Sequence, residues 1–200
     1  MASLSEKKVR LAVFASGTGT NFSALQEAIV DQHLPAKIVL VVVDHADAPV
    51  IERAKKWDIP VFKVAYRDYP SKSAAEEAIV AELKAHQVDA ILLAGYMRII
   101  TPTLLAAFPK RIINLHPALL PKFPGRHSIE DAYEAGVPVT GVTVHYIDDG
   151  IDTGPVIAQA EVPRNPDDSL ADLTERIHEV EHRLYPAVLA QLLEKGELHS

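Results

Sequence analysis

Through the first half of the chain, short apolar runs rich in Val and Ile alternate with amphipathic stretches. Residues 9–15, 36–44, 60–65, 90–95 and 111–115 read as buried strands, because almost every position in each run is apolar. Between them, apolar residues recur at helical spacing near 21–32, 48–57, 73–87 and 102–108. Strand–helix alternation of this kind predicts an α/β fold: an open, mostly parallel, Rossmann-like sheet with helices on both faces. After residue 117 the texture changes. A Pro/Gly-rich loop over 117–125 and a short helix near 128–135 lead to two further runs, 141–147 and 154–162. Only the turn-like 148–153 separates those runs, so they are expected to pair as an antiparallel hairpin at the sheet edge. A long helix over 169–194 closes the chain. No repeat, low-complexity segment or linker interrupts the pattern, and residues 1–200 are expected to form one domain.

Three polar interruptions of this pattern carry chemistry. Ser16-Gly17-Thr18-Gly19-Thr20-Asn21 falls where the first strand meets the first helix. Glycines there let backbone N–H groups approach a ligand, and the helix N-terminus favours an anion. The dinucleotide fingerprint needs glycine at position 22, where Phe22 stands, and the Walker lysine is missing. A monophosphate fits better than NAD or ATP, with a glycine-rich turn that binds nothing as the plain alternative. Asn114 and His116 stand two apart at the end of the fifth strand, so both side chains point the same way. Ligands of open parallel sheets bind beyond such strand ends, although a solvated strand end would also tolerate them. Asp148, Asp149 and Asp152 crowd one short loop, where turn chemistry alone accounts for acidic residues. Asp152, followed by Thr-Gly-Pro, is the one expected to approach His116. An Asn amide and a protonated His donate to a developing oxyanion, and a neighbouring carboxylate favours the imidazolium and helps move a proton. Such a site suits acyl transfer directly between two bound substrates.

Composition narrows the classes. A net charge of −7 without a basic block argues against nucleic acid and anionic membranes. The absence of cysteine removes disulfides, thiolate ligands and thiol nucleophiles. No signal peptide and no apolar run of bilayer length is found, so a soluble, cytoplasmic protein is expected.

SGTGTN, LLAGYMRI, NLHPALLPKFPG and GVTVHYIDDGIDTGPVIAQ, in that order, closely resemble the phosphoribosylglycinamide formyltransferases, a folate-dependent family of purine synthesis. The resemblance runs from about Val9 to Glu194. It implies formyl transfer from 10-formyltetrahydrofolate to the amine of glycinamide ribonucleotide, without a metal. Asn114, His116 and Asp152 match the family's catalytic positions. Gly19, Thr20 and Asn21 match its ribonucleotide phosphate site, and His178 and Glu181 match a segment contacting the same substrate. Met97, Arg98, Ile99 and Ile100 match walls of its folate pocket, as do Asn114 and the loop Ile147, Asp148, Asp149, Gly150, Ile151 and Asp152. Lys72 falls where a basic residue meets the folate glutamate tail, and a cis peptide is implied before Pro121. The resemblance divides the chain into a nucleotide-binding half, about 1–100, and a catalytic and folate-binding half, about 101–200. Ala118 stands where many relatives have serine, and Ile129 where some have a second histidine; His127 receives no role.

One motif points elsewhere. His178-Glu179-Val180-Glu181-His182 satisfies the zinc-protease pattern H-E-x-x-H, and a helix does place two such histidines one turn apart. The extended pattern lacks its third ligand, since Tyr185 and Val188 occupy the required Gly and His positions, and Pro186 is expected to perturb the helix. On a helical wheel Leu170, Leu173, Ile177, Val180, Leu184 and Val188 form one apolar stripe, with Glu181 on its flank and His182 nearly opposite. A buried carboxylate needs a partner, which leaves Glu181 either salt-bridged or part of a site. His145, alternating with apolar neighbours, either lines the site or is a satisfied sheet histidine, and the second reading is preferred. His33, His45, His86 and His199 are read as surface residues.

Neighbouring functions remain to be separated. A 10-formyltetrahydrofolate hydrolase uses the same three groups with water as acceptor, but those relatives add an N-terminal domain, and eight residues precede the first strand here. Methionyl-tRNA formyltransferases add a C-terminal domain. A silent nucleotide-binding module is the reading from a different class. A monomer or homodimer with small-molecule substrates is expected.

Overall fold

In the computed structural model, residues 7–199 are described. Seven strands form one sheet in the order β3-β2-β1-β4-β5-β6-β7. β1 (Val9–Ala15), β2 (Ala36–Val43), β3 (Val61–Lys63), β4 (Ala90–Leu93) and β5 (Ile112–His116) run parallel. β6 (Val139–Tyr146) and β7 (Val156–Pro163) add an antiparallel hairpin at the β5 edge. The strand order reverses between β1 and β4, the crevice where open α/β sheets hold ligands.

Two apolar layers follow from side-chain alternation along the strands. Leu11, Val13 and Ala15 face α1 (Thr20–Asp31), α2 (Val50–Lys56) and α6 (Leu170–Glu194), whereas Ala12 and Phe14 face α3 (Lys72–Ala85) and α4 (Pro102–Ala107). A bulge between Leu11 and Ala12 skips Val39 in the β1–β2 register. A short helix, α5 (Ser128–Glu134), packs Ile129 and Tyr133 against the first layer. No helix among the described residues is long and apolar enough to cross a membrane.

The predicted elements appear with shifted ends. β3 is reduced to Val61–Lys63, although Val41 N–H still donates to the Pro60 carbonyl at 2.9 Å. A 3-10 turn at Tyr66–Asp68 was not anticipated. The hairpin begins earlier and ends later than its apolar runs, because Val139 and Pro163 are paired by register rather than by burial.

Pro186 does not break α6, which continues to Glu194. Its ring removes one backbone donor, but Tyr185, Val188, Leu189 and Leu192 on both sides of it are buried. Packing of that face outweighs a loss of about 3 kcal/mol for proline in a helix. The helix starts with a capping box, Ser169 and Asp172 each accepting from the other's backbone N–H. Its burial also differs from the wheel: Leu170 is 37% exposed, while Tyr185 is 1% exposed. The Tyr185 hydroxyl is shared between the carbonyls of Leu93 at 2.9 Å and Ile113 at 3.2 Å. That contact pins α6 across β4 and β5 and sets Glu181, one turn earlier, beside the carboxyl edge of the sheet.

Candidate active site

The end of β5 supplies the polar centre. Asn114 is half-buried and His116 only 4% exposed, two residues apart on the same face of the strand. Asp152 reaches this face from the loop after β6, its carboxylate 3.7 Å from His116 Nδ1. Its backbone is held at φ 55, the left-handed region, and Gly125 N–H donates to its Oδ2 at 2.8 Å. Asn114, His116 and Asp152 therefore meet. His116 Nε2 lies 2.8 Å from the Phe123 carbonyl, so that nitrogen carries the proton and donates. Nδ1 is left facing the carboxylate.

The loop over 117–125 is fixed from beneath. Thr143, the register partner of His116, donates to the Ala118 carbonyl at 2.7 Å and accepts from Leu120 N–H at 3.1 Å. Gln159 donates to the Leu120 carbonyl at 2.9 Å. The Leu120–Pro121 peptide is cis, as the resemblance implied. Of the two departures, Ala118 is fully buried, and Ile129 packs against the core.

His145 corrects the sequence reading. It is satisfied within the sheet, its Nδ1 donating to the Tyr146 carbonyl at 2.9 Å, but it also lines the polar centre. Antiparallel register sets it opposite Asn114. Its Nε2 lies 3.4 Å from the Asn114 amide nitrogen and 4.0 Å from Asp152. Burial pushes its pKa below the usual histidine value, against the Tyr146 carbonyl and Asp152, which pull upward. With the proton on Nδ1, Nε2 is an acceptor, and this turns the Asn114 NH₂ toward it.

A cavity of about 340 Å³ opens in front of this centre, within the range of small-molecule sites. Met97, Arg98, Ile99 and Ile100 form one wall, and Ile147, Asp148, Gly150, Ile151 and Asp152 the other, with Asn114 and His116 at the base. Met97, Ile99 and Ile151 are each at least half exposed, an apolar rim on a charged surface. Asp148 organises its loop: it accepts from Gly150 N–H at 2.9 Å and Thr153 Oγ1 at 2.6 Å. Those bonds hold its carboxyl below the ordinary aspartate value. Two expected folate residues stand outside the lining. Asp149 is exposed at the loop tip, and Lys72 is exposed at the start of α3.

The expected Arg98 is held by the buried Asp44 at 2.8 Å and stacks over the Tyr66 ring. Other lining residues escaped the sequence reading. Tyr96, whose hydroxyl lies 2.5 Å from that of Tyr66, backs the first wall. Arg126 donates to the Met97 carbonyl at 2.9 Å and ties its own segment to the first wall. The one glycine of the PKFPG stretch was a usable signal for Gly125; Arg126 had none, because the course of the loop brings it in.

A second polar group lies at the glycine-rich turn. Asn21 donates to Glu181 at 2.9 Å, and the exposed His178 approaches the other carboxylate oxygen at 3.9 Å. Burial pushes the Glu181 carboxyl above its ordinary value, opposed by the Asn21 hydrogen bond and by the nearby His178 and His116. Glu181 is thus the site-facing member of HEVEH. His182 is half-buried beside α1, its pKa lowered by burial and by the neighbouring His178 and Arg53. Among the described residues no three His, Asp or Glu side chains are grouped as metal ligands.

Residues 9–189 match the formyl transferase family. This chain belongs to that family. The formyl transferase is 47% identical to phosphoribosylglycinamide formyltransferase of Bacillus subtilis (strain 168) over 184 residues, covering 92% of this chain and 94% of that protein. It superposes on the crystal structure of glycinamide ribonucleotide transformylase 1 from Geobacillus kaustophilus with a TM-score of 0.91 and 56% identity, covering 93% and 99% of the two chains. It is also 45% identical to a trifunctional purine biosynthetic protein, adenosine-3, of Drosophila pseudoobscura pseudoobscura, covering 98% of this chain but 14% of that much longer one.

Proposed function

We propose that this formyl transferase moves the formyl group of 10-formyltetrahydrofolate onto the amine of N1-(5-phospho-D-ribosyl)glycinamide. The products are the N-formyl compound and tetrahydrofolate, a step of de novo purine synthesis. The observation that carries the reading is the meeting of Asn114, His116 and Asp152 at the base of an apolar-rimmed cavity, with the Gly19–Glu181 group nearby. The folate occupies the cavity between Met97–Ile100 and the 147–152 loop. The ribonucleotide phosphate rests on the N–H groups at Gly19, Thr20 and Asn21, and its glycinamide end lies toward Glu181 and His178. Lys72, outside the cavity, is left to meet the extended glutamate tail.

In this scheme the substrate amine attacks the formyl carbon directly. The new C–N bond forms as the carbonyl becomes a tetrahedral oxyanion. Asn114 donates to that oxygen through the amide hydrogen not turned to His145. His116 contributes only when Nε2 exchanges the Phe123 carbonyl for the oxyanion, because in the resting site that donor is engaged. Asp152 faces the imidazole and assists the proton in passing, through water, from the amine to the folate nitrogen, whose bond to the formyl carbon breaks as the tetrahedral centre collapses. No protein nucleophile or metal takes part. The chain acts as one domain in the cytoplasm, as a monomer or homodimer, on small molecules and without nucleic acid.

The test is to mix EDTA-treated protein with 10-formyltetrahydrofolate, with and without the ribonucleotide. The deformylated folate is followed by absorbance and the formylated product by mass spectrometry. Ribonucleotide-dependent turnover that survives EDTA supports the reading. Turnover without ribonucleotide points instead to a hydrolase, and no turnover overturns it.

A further inference from the structure

Helix α2 braces the glycine-rich turn from outside. Val50 N–H donates to the Gly17 carbonyl at 3.1 Å, and Arg53 Nε donates to the Thr18 carbonyl at 2.7 Å. Arg53 Nη1 also donates to Ser23 Oγ, in the first turn of α1, at 3.0 Å. The next carbonyl, that of Gly19, accepts the first helical bond from Ser23 N–H at 3.0 Å. Gly19 itself has φ 76, and a Cβ there would overlap the Val50 side chain and come within 2.9 Å of its Cα. Three successive carbonyls are thus taken up, two of them by α2.

A trans peptide is planar, and its C=O and N–H point in opposite directions. Drawing the Gly17 oxygen onto Val50 therefore turns the Thr18 N–H away from α2. Drawing the Thr18 oxygen onto Arg53 does the same for the Gly19 N–H. Neither N–H meets an acceptor among the described residues. From this geometry we propose that Arg53 is a positioning residue for the phosphate group of the ribonucleotide: it fixes the Thr18–Gly19 peptide so that the Gly19 N–H points at the phosphate. The inference rests on the functional reading above. Arg53 does so with a planar fork that spans a loop carbonyl and a helix hydroxyl together, a geometry the single ammonium of lysine does not reproduce.

The test compares wild type, Arg53→Met and Arg53→Lys, using the ribonucleotide and its dephosphorylated glycinamide riboside as acceptors. The expected result is a rise of about tenfold in KM for the ribonucleotide in Arg53→Met, the scale of one lost hydrogen bond to a charged group. kcat and the KM for the formyl donor stay within about twofold in the same variant. The preference in kcat/KM for phosphorylated over dephosphorylated acceptor shrinks by the same factor, and Arg53→Lys recovers little of it. A general structural lesion lowers both acceptors alike, and with unchanged phosphate preference it overturns the proposal. So does full recovery in Arg53→Lys, which assigns the effect to charge alone. If wild type neither turns over the ribonucleotide nor prefers it to the riboside, the functional reading fails, a result distinct from either variant outcome.

Discussion

Asn114→Ala isolates the oxyanion contribution. The residue is half-buried on β5, and its side chain makes one hydrogen bond, 3.4 Å to His145 Nε2. Truncation removes the amide donor without touching the backbone ladder to β4 and β6. It leaves Nε2 of a fully buried histidine without its partner, which costs on the order of 1–3 kcal/mol in a dry interior. Here the cavity adjoins Asn114 and lets water take the vacated place, so a loss near 1 kcal/mol is expected. Removal of one preorganised donor to an oxyanion costs about 10²–10³ in kcat. The expected outcome is therefore a fall in kcat of that order, an unchanged melting cooperativity, and KM values for both substrates within a few-fold of wild type. Steady-state kinetics with each substrate varied in turn, beside a thermal melt, measure all three. Near-normal kcat, or a loss confined to KM, would remove Asn114 from the oxyanion scheme. Asn114→Asp sharpens the comparison: it sets a carboxylate beside the developing negative charge and is expected to turn over more slowly than the alanine variant.

Asp152→Asn keeps an acceptor for Gly125 N–H but loses the charge facing His116, and turnover measured at pH 7.5 should fall about 10²–10⁴-fold while the fold is retained. Glu181→Gln should preserve the Asn21 contact and change the pH dependence of stability. The folded carboxyl titrates above its unfolded value, so its stabilising contribution is present below the unfolded pKa and is lost as pH rises through the folded one. Denaturant titrations should find the glutamine variant more stable than wild type above that window and equal to it at lower pH. His145 carries the opposite sign for a histidine: its pKa is depressed, so its contribution is intact above the unfolded value of 6.5 and is lost as pH falls below it. His145→Phe should flatten the stability profile below pH about 6.5 and loosen Asn114, seen as reduced kcat; an unchanged profile would show that His145 is not the titrating group.

Much of the fold was legible because its signals are local. Val/Ile runs at strand spacing and helical recurrence gave β1, β2, α1, α3 and the hairpin to within a few residues. The polar ends of those runs gave Asn114, His116 and the glycine-rich turn, since a side chain's direction along one strand follows from its parity. Four linked stretches of sequence were enough to indicate the family. Local periodicity also explains why HEVEH, set aside as a metal motif, informed as a wheel: Glu181 does lean inward, and His178 is exposed.

What only the tertiary structure decided depends on contacts between distant segments. Antiparallel register, not spacing, sets His145 opposite Asn114 and Thr143 opposite His116. The course of the 117–125 loop gives the Phe123 carbonyl to His116 and the Gly125 N–H to Asp152. Tyr185 was off the apolar stripe as drawn, yet it is buried because two strand carbonyls accept its hydroxyl. Arg53 reads as one more charge on a short helix until its guanidinium is found on the Thr18 carbonyl, 35 residues away in sequence. Sequence periodicity states which way a side chain points relative to its own strand or helix. The partner it meets is chosen by packing the elements together, where apolar burial sets the register and polar groups must find whatever donors and acceptors that register brings.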